Sequence, residues 1–358
     1  MKNKFSVFIL FLVICASTNF SAFAAGNPSD CNIQAAYANP DVFHFVVMGD
    51  RNGGEENGVF GQVISKVNMM CPAFVVSVGD NIPGYNKDAN EVNRMWDTYD
   101  LLVKNLKVPF LKVPGNHDVT YDVMAEVYKK RFGKTYHHAI YKNVLFLFLA
   151  SDDPSAEIDP NIAKELSKEK KALKEKALRD GITPEGLAKL SEYKEKNSNA
   201  HGGKISDAQF EYFKKVLEDN KNVRWTFVLM HKPLWKQKNP PENWVKLEKM
   251  LTQRSYTVIA GHEHINSYTL RKNRDYIVTA TSGGGRAPDL LPGVYHHILW
   301  VTMDSNGPVI ANLMADGMRE KTDIRPFKSI STADSNSIDI TDLNSINRAD
   351  IKKLIDKY

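Results

Sequence analysis

Cysteine is scarce in this sequence, with three in 358 residues. Neither Cys31 nor Cys71 stands at a metal-ligand spacing, so a thiolate-held zinc site is not in prospect. An excess of one charge is also missing. The formal net charge is +5, and it falls to +3 once an N-terminal leader carrying Lys2 and Lys4 and no acid is removed. That surplus is too small to argue for nucleic-acid binding. After the leader no apolar run approaches the roughly 20 residues that cross a bilayer, and there is no internal repeat. What remains is ordinary globular composition, 42% hydrophobic and 25% charged. A chain of this length buries a sizeable core, and one decorated domain fits it better than two equal ones.

Residues 1–24 read as a signal peptide. Lys2 and Lys4 precede the apolar run Phe5 to Ala16, and Ala22-Phe23-Ala24 offers a small-residue cleavage site. The run is too short for a membrane anchor, and Ile14 before Cys15 is too bulky for a lipoprotein site. The pattern is bacterial in type and implies a periplasmic or secreted protein. Cys15 leaves with the leader, so Cys31 and Cys71 remain where a bridge is permitted. A bridge closing that loop contributes about 4 kcal/mol in the chain-entropy account. Pairing and two buried thiols both stay open.

Five apolar runs, Val42 to Met48, Ala73 to Val78, Val108 to Val113, Val223 to Met230 and Tyr256 to Ala260, read as strands buried on both faces. Helical spacing covers Val59 to Met70, Glu91 to Asn105, Tyr121 to Phe132, Ser206 to Asp219 and Glu242 to Leu251, with a capping box offered by Ser206 and Gln209. Strand alternating with helix predicts an α/β fold with ligands gathered beyond the carboxyl ends of the strands. Residues 157–200 are dense in Lys, Glu, Ala and Leu around Gly181-Ile182-Thr183-Pro184, which predicts an inserted helical hairpin with Thr183 capping its second helix. Its plainest reading is a solvated excursion; a protein partner or a substrate lid is the sharper one. Beyond Asp275 three strand-like pieces (Tyr276 to Ala280, His296 to Met303, Val309 to Leu313) predict a second, antiparallel sheet. Residues 321–358 form a polar tail ending in a short helix near Asp350 to Lys357; Asp334-Ser335-Asn336 lacks the glycine and glutamate of a calcium loop.

Each of the five apolar runs hands over to polar residues: Gly49-Asp50, Gly79-Asp80-Asn81, Gly115-Asn116-His117-Asp118, His231 and Gly261-His262-Glu263-His264. Together they supply carboxylates, an amide oxygen and imidazoles, which is what two adjacent cations need. Two such ions repel, so an anion must lie between them. Asp80 is the candidate bridge, with Asp50 and His264 completing one side and Asn116, His231 and His262 the other. Oxygen and imidazole donors suit Mn, Fe or Zn in a divalent or trivalent state. Arg51, beside Asp50, presents a fork that suits a phosphate clamp or a structural ion pair equally. The remaining histidines, His296 and His297 among them, have no such partners, and Glu263 is expected to point away.

In order and spacing these segments resemble the calcineurin-like metallophosphoesterases over roughly Val42 to Leu313, the hairpin excepted. The resemblance implies a four-layer αββα sandwich, a dinuclear metal centre at the six residues named, and hydrolysis of a phosphate ester by a metal-bridging hydroxide. It implies that His117 protonates or neutralises the leaving oxygen, with Asp118 orienting its ring. A small-molecule or lipid phosphate ester is the expected substrate, and the motifs do not separate monoester from diester. One departure stands out. Most of the family reads Asp-x-His in the first motif, whereas this chain reads Asp50-Arg51-Asn52. Relatives that lack that imidazole place a tyrosine three residues after the bridging Asp, but here the position is Pro83 and Tyr85 lies two further on. Asn52, Tyr85 or water is left to fill the place. A weak or inactive binding protein whose hairpin engages a partner is the alternative; the retained His117 argues against it.

Overall fold

The computed structural model describes residues 41–181, 183–286, 292–314 and 318–321. The leader, Cys31 and the tail helix lie outside the described residues. Cys71 is disulfide-bonded, and the other two cysteines are outside the described set.

Strands β1 (Phe43–Met48), β2 (Val75–Ser77) and β3 (Phe110–Lys112) run parallel, linked through α1 (Val59–Met70) and α2 (Ala89–Val103). A helical turn, α3 (Asn116–Val119), and α4 (Asp122–Phe132) follow, then the hairpin β4 (His137–Tyr141) and β5 (Val144–Leu149). The charged insertion is α5 (Pro160–Asp180) and α6 (Pro184–His201), with the Thr183 hydroxyl accepting from Gly186 N as expected. Next come α7 (Asp207–Asp219), β6 (Trp225–Met230), α8 (Glu242–Leu251) and β7 (Tyr256–Ala260). The chain then forms β8 (Ser267–Arg271), β9 (Arg274–Val278), β10 (His297–Asp304), β11 (Gly307–Met314) and β12 (Met318–Glu320).

These strands make two six-stranded sheets, β12-β11-β10-β1-β2-β3 and β4-β5-β6-β7-β9-β8. The expectation of a separate antiparallel sheet after Asp275 is therefore corrected. Strand β9 joins β7 in parallel, while β10 pairs antiparallel with β1 and extends the first sheet. Local pattern marks a strand but not its partner. Strands β4 and β5 have no counterpart among the expected strands, although Val144–Leu149 is buried along its whole length.

Alternation explains the four layers. Phe43, Phe45 and Val47 of β1 meet Phe146 and Phe148 of β5 between the sheets, whereas Val46 and Met48 face α1, α2 and α4. Leu145, Leu147 and Leu149 point the other way, onto α7 and α8. A strand that is covered on both sides must be apolar at every position. At the centre Phe45 stacks on Phe74 at 5.2 Å and meets Phe146 and Phe227 edge-on at 5.3 and 5.0 Å. Such pairs contribute about 0.5–1.5 kcal/mol each beyond their buried area.

Only half of the capping box at α7 forms. Ser206 Oγ accepts from Gln209 N, but the Gln209 amide turns away to bond both Ala150 N and Ala150 O at 3.0 Å, tying α7 to the end of β5. Among the described residues no helix is long and apolar enough to cross a membrane.

Candidate metal centre

Because β1, β2 and β3 are parallel in one sheet and β5, β6 and β7 in the other, their carboxyl ends deliver the five polar segments to one region. Gly261 N donates to His231 O at 2.9 Å, continuing the β6–β7 pairing, and His231 Nδ1 donates to Val78 O at 2.8 Å, which joins the two sheets there. Gly79 makes that approach possible. Its φ is +102°, and a Cβ would lie 2.7 Å from His231 Nδ1 and from Gly115 N.

Two groups of donors form, each within 4.8 Å: Asp80 with His231 and His262, and Asp80 with Asp50 and His264. Asn116 joins the first, its Oδ1 3.0 Å from His231 Nε2. Asp80 is thus common to both sides. His231 Nε2 is 3.2 Å from Asp80 Oδ1, and His264 Nε2 is 3.5 Å from Asp50 Oδ1. Asp50 also accepts from His262 N at 3.0 Å. Three of these residues, Asp80, His262 and His264, have left-handed backbones with φ of 54°, 75° and 56°. Such strain costs about 1–3 kcal/mol apiece and persists only where the surroundings impose it.

Backbone carbonyls aim the imidazoles. Nδ1–H of His231, His264 and His117 donates to Val78 O, Gly285 O and Pro83 O respectively, so each ring presents Nε2 inward. His117 Nε2 stands 3.9 Å from Asp80 Oδ2, and its side chain is 20% exposed, against 3% for Asp80. It therefore sits at the mouth of the cluster.

Charge is held here at a cost. Burial, with the Asp80 carboxylate beside it, pushes Asp50 up to about 7. Burial acts the same way on Asp80 but is outweighed by the imidazoles of His231 and His117, which hold it well below the carboxylate range. Burial keeps His262 neutral; it also takes His264 down to about 4, with the Lys170 ammonium of α5 adding to the effect. His231 goes the other way: burial lowers it, but the Asp80 and Asp50 carboxylates outweigh this and push it up to about 9, so this imidazole gives up its proton when a cation binds. Imidazoles, an amide oxygen and two buried carboxylates are the donor set that divalent cations complete, so the residues present fit a metal pair.

Arg51 takes one of its two open readings, and Asp118 has partners other than the expected one. The fork of Arg51 is committed: Nη1 donates to Asn81 O at 2.9 Å and Nη2 pairs with Glu55 at 2.7 Å, with the guanidinium over Phe60 and Tyr99. These contacts make a structural ion pair, buried at Arg51 and partly exposed at Glu55. Asp118 does not touch the His117 ring; its carboxylate accepts from Asn81 N, Ile82 N, Gly115 N and Asn81 Nδ2 at 2.8–3.2 Å. It binds the Asp80 loop to the Asn116 loop. The Asn52 amide nitrogen donates to Asn81 O at 3.3 Å, the weakest of these contacts. Glu263 points away to Lys236, His296 pairs with Glu56, and His297 is buried with Nε2 accepting from Ala280 N.

Sequence reasoning gave Asn81 no role. Its side chain accepts from Ser77 Oγ and Tyr99 OH, both at 2.7 Å, and so pins the residue that follows Asp80. Its place directly after Asp80 was the available signal.

The sequence model for calcineurin-like phosphoesterases matches residues 43–266. No curated protein sequence matches the chain. Among solved structures it is similar to a dimetal phosphatase from Danio rerio, with TM-score 0.51 and 16% identity over 80% of this chain and 99% of that one. It is similar also to PhoD (TM-score 0.50, 11% identity, 88% and 78% covered) and to a purple acid phosphatase of yellow lupin seeds (0.48, 11%, 80% and 53%). At these identities the likeness speaks to fold alone.

Proposed function

We propose, from the premise that this chain belongs to the calcineurin-like phosphoesterase family, that it is an exported phosphoesterase working with two metal ions. The carrying observation is that both donor groups share Asp80. Asp50, Asp80 and His264 would hold one cation, and Asp80, Asn116, His231 and His262 the other. When bound, the cations supply an activated water and neutralise the phosphoryl oxygens. His117, fixed by Pro83 O, presents Nε2 at the mouth to the leaving oxygen, where it donates a proton or a hydrogen bond. Export rests on the leader, and the disulfide at Cys71 supports an oxidising compartment outside the cytoplasm.

The base of the hairpin supports a lid. Glu157 N donates to Thr120 O at 3.0 Å, and Glu157 Oε1 accepts from Asp122 N, so α5 departs beside the turn that carries Asn116 and His117. One observation favours a weaker catalyst: the Asp50 side gathers three of the expected donors, Asp50, Asp80 and His264, against four on the other side. Titration of the metal-free protein with Mn²⁺ should show two unequal affinities, and turnover of chromogenic monoesters or diesters should follow occupancy. A protein that binds no metal and turns over neither class of ester refutes the reading.

A further inference from the structure

We propose that Tyr85 is a positioning residue that fixes the amide of Asn116 with its oxygen toward the metal centre, a role that rests on the reading above. An asparagine amide has two ends of nearly equal size, and only Oδ1 can coordinate a cation. A half-turn of the amide would present nitrogen and remove a ligand, so something must hold its orientation. Asn116 Nδ2 donates to the phenol oxygen of Tyr85 at 2.7 Å, while Oδ1 faces His231 Nε2 at 3.0 Å. The phenol is hydrogen-bonded also to the Thr120 side chain, whose hydroxyl donates to the Asn116 carbonyl. The amide is thereby held from its nitrogen end and its backbone together.

The chain is shaped to bring the phenol there. Gly84 and Tyr85 are both left-handed, with φ of 66° and 51°, and a Cβ on residue 84 would lie 1.7 Å from the His117 carbonyl oxygen. That kink sets the Tyr85 ring edge-on against His117 at 4.7 Å and 85°. The phenol is therefore behind the ligand, bonded to the end of Asn116 that does not coordinate. A tyrosine displaced from the position that relatives use for ligation acts here through Asn116.

The test is calorimetric titration of the metal-stripped full chain with Mn²⁺, comparing wild type, Tyr85→Phe, Asn116→Ala, Asn116→Asp and the double variant of Tyr85→Phe with Asn116→Asp. Phenylalanine keeps the ring contact with His117 and removes only the hydroxyl. The affinity that Asn116→Ala also lowers should weaken about 10–100-fold in Tyr85→Phe, the usual effect of losing a partner behind a ligand. In the Asn116→Asp background both ends coordinate alike, so Tyr85→Phe should change Mn²⁺ affinity less than about threefold. Unchanged affinity in the single variant, or equal weakening in both backgrounds, overturns the orienting role while leaving the metal centre standing. Absence of Mn²⁺ binding by wild type overturns the centre and this role together.

Discussion

Replacing Asp50 by Asn should stabilise the metal-free protein and weaken its hold on metal. Asp50 is fully buried and lies in the same donor group as Asp80, and its carboxyl is pushed from 3.8 to about 7. The folded metal-free protein thus keeps a proton that the unfolded chain releases near pH 4, and its stability falls as pH rises from about 4 to about 7. At roughly 1.4 kcal/mol for each tenfold change in proton affinity, the buried charge costs about 4 kcal/mol at pH 8. Asparagine carries no charge but accepts less well from His262 N, which returns about 1 kcal/mol. The net gain of about 3 kcal/mol corresponds, for a chain of this size, to a rise in Tm of roughly 4–5 °C. Thermal melts in chelator at pH 8 should show that rise, and melts at pH 4 should show little of it. With Mn²⁺ in hundredfold excess over its Kd the wild type should recover about 2.7 kcal/mol, and the variant less. A metal-free Asp50→Asn protein no more stable than wild type at pH 8 would refute the argument that buried negative charge is the costly element of this site.

The His117→Ala variant should lose about 10²–10⁴-fold in kcat with metal content unchanged by elemental analysis; full turnover would remove its role at the leaving oxygen. A third prediction concerns Glu56, which accepts from both Arg286 and His296 and whose backbone N–H donates to Gly283 O. Burial raises its carboxyl, but Arg286 and His296 outweigh this and hold it near 2. Its stabilisation is present above pH 4.5 and is lost as pH falls toward 2. Since Glu56 is 35% exposed, screening reduces the effect to about 1 kcal/mol. Glu56→Gln should lose that amount in urea melts at pH 7 and match wild type near pH 2; a difference that persists in acid would contradict it.

How much of this was legible beforehand follows from the range of each interaction. Helices α1 and α8 and strand β7 end where their sequence pattern ends, at Val59–Met70, Glu242–Leu251 and Tyr256–Ala260. A strand covered on both faces must be apolar throughout, and the switch to Gly-Asp or Gly-His at its tip is a local event. The sharing of Asp80 between two donor groups could be anticipated for a related reason, since paired cations demand an anion between them.

Partners far away in the chain were another matter. The fork of Arg51 is satisfied by Asn81 O, thirty residues on, and the Asp118 carboxylate by the Asp80 loop rather than by its neighbour His117. Strands β9 and β10 look alike in sequence yet enter different sheets. The sequence by itself determined which elements form and which side chains reach the strand tips, because burial and periodicity act over a few residues. Only the tertiary structure decided where those side chains point. The groups that aim the imidazoles are the carbonyls of Val78, Pro83 and Gly285, and a backbone carbonyl is the same atom in every residue.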